Sequence, residues 1–147
     1  MLIKKIEANK LDYIDLLLEA DPEVDVVTKY IEGSDMFGVF ENNKVLSVIV
    51  ITKVDEDICE LKNIATLEEE RDKGYASELI EYVFNEYRGK YKMMVVGTGE
   101  SMIPFYVLNG FTKYYKTVKN FFIDNYKEEI WDNGLQCIDM YYYSKEL

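Results

Sequence analysis

A chain of 147 residues, 48% of them hydrophobic, is long enough for a sizeable core and too short for two ordinary domains, so residues 1–147 read as a single domain. It contains no histidine, which excludes Ser-His-Asp and Cys-His catalysis and the common histidine metal sites; carboxylates, tyrosine, lysine and backbone remain as catalytic groups, with no metal expected. A net charge of -11, with Arg71 and Arg88 the only arginines, argues against a nucleic-acid surface and favours cationic partners.

No run of about 18 apolar residues occurs, and the start MLIKKIEANK lacks the long apolar stretch of a signal peptide, so a soluble, cytoplasmic protein with no membrane association is expected. Cys59 and Cys137 are single, widely spaced thiols that suit neither a zinc site nor a disulfide framework, and are expected to be reduced and partly buried. Met1 to Glu7 reads as a strand. Leu11, Ile14, Leu17 and Leu18 then recur at helical spacing behind an Asn9 cap, and Asp21-Pro22 starts a second helix whose apolar face is Val24, Val27 and Ile31. Asp35 to Glu41 and Lys44 to Val54 are strands joined by a tight Asn42-Asn43 turn, and Asp55-Glu56-Asp57 leads into the strand Ile58 to Thr66. A helix carries Ala76, Leu79, Ile80, Val83, Phe84 and Tyr87 on one face and stops at Gly89. Tyr91 to Val96 suits a buried strand. Gly97-Thr98-Gly99 fails both the dinucleotide and the P-loop fingerprints and reads as a connection to a short helix capped by Ser101 and ended by Asn109-Gly110. Phe111 to Ile123 and Leu135 to Tyr143 read as two long strands, with Asn133-Gly134 turning into the second. The order β-α-α-β-β-β-α-β-α-β-β predicts an α+β domain with a mixed sheet covered by helices.

The chain is organised around Glu60 to Tyr87, where a strand runs through the loop Arg71-Asp72-Lys73-Gly74-Tyr75-Ala76 into the amphipathic helix. A helix N-terminus offers about four unbonded N–H groups and roughly half a positive charge, and a glycine there lets an anion approach the backbone. That is the physical basis of a phosphate site. The loop pattern Arg/Gln-x-x-Gly-x-Gly/Ala, the strand end Ile64-Ala65-Thr66, and Phe105-Tyr106-Val107-Leu108-Asn109-Gly110-Phe111, which matches Tyr-x-x-x-Gly-Phe, occur in the order found in one family. On these three matches, which run from Ile64 to Phe111, the sequence resembles the GNAT superfamily of acyl-CoA-dependent N-acyltransferases. Glu68 stands where that family usually has proline, and Glu100-Ser101 where it often has asparagine.

The resemblance implies a mostly antiparallel sheet whose fourth and fifth strands splay apart around the cofactor, acetyl-CoA. It places the pyrophosphate on the backbone of Arg71, Asp72, Lys73, Gly74, Tyr75 and Ala76, the pantetheine arm and thioester carbonyl on Ile64, Ala65 and Thr66, and a further cofactor contact at Ser101. Tyr106 is implied as the acid for the departing thiolate, with a core or surface tyrosine as the alternative among thirteen tyrosines. Glu60, eleven residues before Arg71, matches the base of histone-acetylating members and would take the amine proton directly or through a water. Glu68, Glu69 and Glu70 read as solvated loop charges. The acceptor implied is a small-molecule or peptidic primary amine, cationic in solution, bound by the variable segments Leu18 to Asp35 and Asp124 to Gly134; a homodimer is compatible with the pattern. Two other readings compete with catalysis: an acyl-CoA sensor without turnover and an interaction module of the same shape. Tyr106 and the intact loop favour the enzyme.

Overall fold

Asn42 and Asn43 turn the first hairpin by both taking positive φ, 51° and 66°, in the computed structural model, which describes residues 1–147. In chain order the elements are β1 (Leu2–Ile6), α1 (Ile14–Ala20), α2 (Val24–Ile31), β2 (Asp35–Glu41), β3 (Lys44–Lys53), β4 (Ile58–Thr66), α3 (Tyr75–Tyr87), β5 (Met93–Thr98), α4 (Ile103–Leu108), β6 (Lys113–Val118), α5 (Phe121–Asn125), β7 (Ile130–Asp132), β8 (Leu135–Cys137) and β9 (Met140–Glu146). Seven strands form one sheet in the order β1-β2-β3-β4-β5-β9-β6, antiparallel except where β4 meets β5, while β7 and β8 make a separate hairpin. The α+β class and mixed, mostly antiparallel sheet are as the sequence predicts. No helix is long and apolar enough to cross a membrane.

The sheet is covered on both faces. Leu79, Ile80, Val83, Phe84 and Tyr87 of α3 pack with Ile49, Leu61 and Val96 on one face; Leu16, Leu17, Val27 and Ile31 of α1 and α2 pack with Val48, Val50 and Ala65 on the other. One irregularity decides which residues of β4 face which side. Val50 pairs with Asn63 and Ile51 with Leu61, so Lys62 is an extra, bulged residue. Before it, Cys59 and Leu61 pack toward α3; after it, Ala65 packs toward α1 and α2 and Asn63 bonds to α1.

Several elements differ from expectation for local reasons. Asn9 takes a left-handed conformation (φ 57°) without a capping bond, and a 3-10 turn, Lys10–Tyr13, precedes α1. Pro22 lies before α2, with Glu23 at the N-cap position, and Val24 on its expected apolar face is exposed. Helix α3 starts at Tyr75, whose buried ring takes the core position assigned to Ala76. The strand expected over Phe111 to Ile123 ends at Val118, because Asn120 turns left-handed (φ 57°) with its N–H on Asp139 Oδ1 (2.9 Å), and α5 follows. The strand expected from Leu135 to Tyr143 is divided between β8 and β9 around the same Asp139. Asn133-Gly134 does turn the chain, between β7 and β8.

Candidate active site

Parallel pairing of β4 with β5 runs only from Ile58 opposite Met93 to Leu61 opposite Val96, although β4 continues to Thr66 and β5 to Thr98. The strands part just where Lys62 bulges, leaving the backbone edge of residues 62–66 without a strand neighbour on that side. Ile64, Ala65 and Thr66 line this gap, and their positions are fixed from behind. The buried Ser47 hydroxyl donates to the Ala65 carbonyl (3.1 Å) and shares a hydrogen bond with Thr66 Oγ1 (2.8 Å). Arg71 Nε donates to the Thr66 carbonyl (3.3 Å) while its guanidinium also reaches Glu19 on α1 (3.2 Å). The Arg71 side chain thus ties loop, strand end and α1 together.

Past Arg71, Asp72 (φ 63°) and Gly74 (φ 88°) swing the chain into α3. The first i→i−4 bond runs from Glu78 N–H to the Gly74 carbonyl (3.0 Å), so the amides of Tyr75, Ala76 and Ser77 have no intrahelical partner. A Cβ on Gly74 would meet no protein atom within 4 Å, so the space beside this turn into α3 is open. Asp72 and Lys73 are exposed; Lys73 pairs with Glu70 (2.9 Å) and Lys44 with Glu69 (3.7 Å), so two of the three loop glutamates are balanced.

Tyr106 lies on α4 with its ring edge-on to Phe105 and Phe111, against the α3 side of the core. Its hydroxyl makes no hydrogen bond within the chain and is not sealed from solvent. Desolvation, helped by the nearby Asp132, pushes this phenol up to about 12. Ser101 does not cap α4, which Met102 begins; its hydroxyl donates to Asp132 Oδ2 (2.7 Å) and ties the β7–β8 hairpin to the start of the helix. That hydroxyl is engaged within the protein.

Glu60 lies on the opposite face of the sheet from Tyr106, so the two flank the parting strands from two sides. Its side chain is only 14% exposed, and burial raises its carboxyl above the usual carboxylate range even though Lys62 (3.6 Å) and Lys116 oppose the shift. Beyond the bulge on this face, buried Asn63 donates through Nδ2 to the Leu17 carbonyl (3.0 Å) and to Tyr30 Oη (2.9 Å). The Tyr30 hydroxyl donates to Asp21 Oδ2 (3.1 Å), and Tyr126, beyond α5, donates to Asp21 Oδ1 (2.9 Å). The Lys127 N–H adds a bond to Glu23 (3.0 Å). The two segments expected to carry the acceptor are thereby joined. Ser47, Lys62 and Asn63 were not expected near the site, and Asp21, Tyr30 and Tyr126 were covered only as parts of the two acceptor segments; none belongs to a sequence motif, and only the fold brings them together.

This geometry agrees with what other proteins show. The family model described as "Acetyltransferase (GNAT) family" matches residues 7–111. The uncharacterized N-acetyltransferase YvbK of Bacillus subtilis is 32% identical over 130 residues, covering 86% of this chain and 83% of that one. Among solved structures, a GNAT family acetyltransferase from Elizabethkingia anophelis with acetyl-CoA bound superposes with a TM-score of 0.90 at 33% identity, covering 99% of this chain and 97% of that one. A Bacillus cereus IAA acetyltransferase gives 0.88 at 27% identity, covering 99% of each chain. A Bacillus subtilis acetyltransferase in complex with CoA gives 0.85 at 28% identity, with 99% and 97% covered. With parted strands, a helix N-terminus with free amides and these relatives all in agreement, the chain belongs to the acetyltransferase (GNAT) family and is an enzyme of acyl transfer.

Proposed function

We propose that the chain transfers an acetyl group from acetyl-CoA to the primary amine of a small molecule or peptide, by direct attack within a ternary complex. The observation that carries this reading is the gap between β4 and β5, which runs from the free amides of α3 to a point flanked by Glu60 on one face and Tyr106 on the other. The residues present fit acetyl-CoA: unpaired N–H groups of Tyr75, Ala76 and Ser77 suit its pyrophosphate, and the edge of Ile64, Ala65 and Thr66 suits its pantetheine amides. Bound there, acetyl-CoA supplies an acyl group already activated as a thioester.

The chain's own residues do the rest. Backbone N–H groups of the β4 edge polarise a carbonyl lying along it, in positions that Ser47 and Arg71 hold fixed. Glu60 accepts the amine proton, directly or through a water, and Tyr106 offers its hydroxyl hydrogen to the sulfur that departs. The amine is protonated in solution, and what else the acceptor carries is decided close to Glu60 rather than by the net charge of -11.

Thiol release from acetyl-CoA, followed with and without a panel of primary amines, is expected to accelerate with at least one amine in proportion to N-acetylated product. Binding of acetyl-CoA with no acceleration by any amine would instead support a sensor.

The raised carboxyl of Glu60 has a kinetic signature. Its ionised, proton-accepting form is gained at higher pH than for an ordinary glutamate of about 4.3, so kcat/KM is expected to climb through an acid limb lying above that value. Glu60→Gln should abolish this limb. Lys62→Met removes the first group that holds the carboxyl down, so the limb should move to higher pH; an unmoved limb in that variant would remove Glu60 from the proton path.

A further inference from the structure

The net charge of the chain does not describe the surroundings of Glu60. A shallow, largely open cleft of about 470 Å³ lies on the α2 side of the sheet, within the size range of small-ligand sites, and its lining includes the carboxylates of Glu32 and Glu60 and the ammonium groups of Lys53 and Lys62. Lys53 is already satisfied, since it pairs with Glu56 at 2.7 Å. Lys62 is not. Its only carboxylate partner is Glu60 at 3.6 Å, well beyond the 2.7–2.9 Å or so of a charge-assisted hydrogen bond.

The two groups are nevertheless held in place. Lys62 is the bulged residue of β4, and bulges re-aim side chains beside active sites. Its ammonium stands 5.6 Å from the centre of the Tyr30 ring, and that ring is fixed by Asn63 and Asp21. Next along this strand face, Asn63 Oδ1 is the one buried side-chain polar atom with no hydrogen-bond partner, an acceptor still unused. On the other flank, Lys116 stands 5.0 Å from the centre of the Tyr142 ring, and its charge also acts on Glu60.

We propose that this cleft is the acceptor subsite and that the acceptor is zwitterionic, an amine bearing a nearby carboxylate, with its ammonium at Glu60 and its carboxylate at Lys62. This rests on the amine-transfer reading above. The argument is one of partners. A plain amine that took Glu60 from Lys62 would leave that partly exposed ammonium with only the more distant Asp21 carboxylate, and a diamine would add a second cation beside it; each loses a close pairing that a ligand carboxylate restores. A ligand with both signs a few atoms apart replaces one loose ion pair with two. α-Amino acids and short ω-amino acids have that spacing.

The test compares matched pairs: an amino acid and the amine left by its decarboxylation, such as phenylalanine with phenethylamine and lysine with cadaverine, each assayed for amine-dependent thiol release and N-acetylated product. The wild-type enzyme is expected to favour the carboxylated member of a pair by about tenfold or more in kcat/KM. Lys62→Met should bring that ratio to near one, and Lys62→Glu should invert it toward the diamine, with acetyl-CoA affinity by calorimetry reporting that each variant is folded. Decarboxylated amines that match or exceed their amino acids in the wild type overturn the zwitterion alone and leave amine transfer standing. So does a ratio unchanged in both variants. Acceleration by no amine at all overturns amine transfer and the zwitterion with it.

Discussion

Gly74→Glu is expected to give a folded protein that no longer binds acetyl-CoA. The added side chain would stand in the space that now gives access to the amides of Tyr75, Ala76 and Ser77, and its carboxylate would itself occupy the positive end of α3 in place of a phosphate. Folding should survive, because a Cβ at this position meets no protein atom within 4 Å; the cost is that of holding an L-residue at φ 88°, roughly 1–2 kcal/mol. Gly74→Asn separates the two effects, since asparagine tolerates the left-handed region and brings no charge. Calorimetric titration should show weakened but measurable binding for Asn and none for Glu, while thermal melts of the two remain close. Wild-type affinity in Gly74→Glu would move the pyrophosphate elsewhere.

The second large effect is expected at Tyr106. Removing its hydroxyl in Tyr106→Phe should lower turnover by about 10²-fold while leaving acetyl-CoA affinity nearly unchanged. The variant keeps the ring packed on Phe105 and Phe111, and the lost hydroxyl has no hydrogen bond within the chain whose removal could disturb the fold. With its phenol pushed up to about 12, Tyr106 stays protonated across ordinary assay conditions, so it should add no alkaline limb to the pH profile below that value. On the proposed mechanism its contribution is a hydrogen ready for the leaving sulfur at every working pH. Full turnover by Tyr106→Phe would make Tyr106 a packing residue.

Much of the fold was legible because its signals are local. Asn42-Asn43, Asn133-Gly134 and the apolar spacing from Leu79 to Tyr87 each state a conformation within a few residues, and the structure places a turn or a helix at each. The β6 to β9 region was misread because Asn120 and Asp139 interrupt two runs of strand-forming residues through a bond between positions 19 apart, which no periodicity displays. The site divides in the same way. The loop at Gly74 is contiguous and its turn into the helix could be read directly, and Tyr106 is singled out only by its motif. The surroundings of Glu60 come from a one-residue bulge at Lys62 and from partners on α1, α2 and the segment after α5. Ser101 shows the limit of local reading: a residue type suited to helix capping instead spends its hydroxyl on Asp132.

Asp21, in the turn between α1 and α2, holds one tyrosine on α2 and another 105 residues further along the chain. Rims of binding clefts commonly lose freedom when a ligand arrives, at about 0.5–1.5 kcal/mol for each side chain immobilised. In this protein the Asp21 carboxylate and the Lys127 to Glu23 bond already tie together the two segments proposed to carry the acceptor. Acceptor binding should therefore carry little entropic penalty from the rim. On the proposed reading, discrimination among amines then falls on their fit to segments that are already joined.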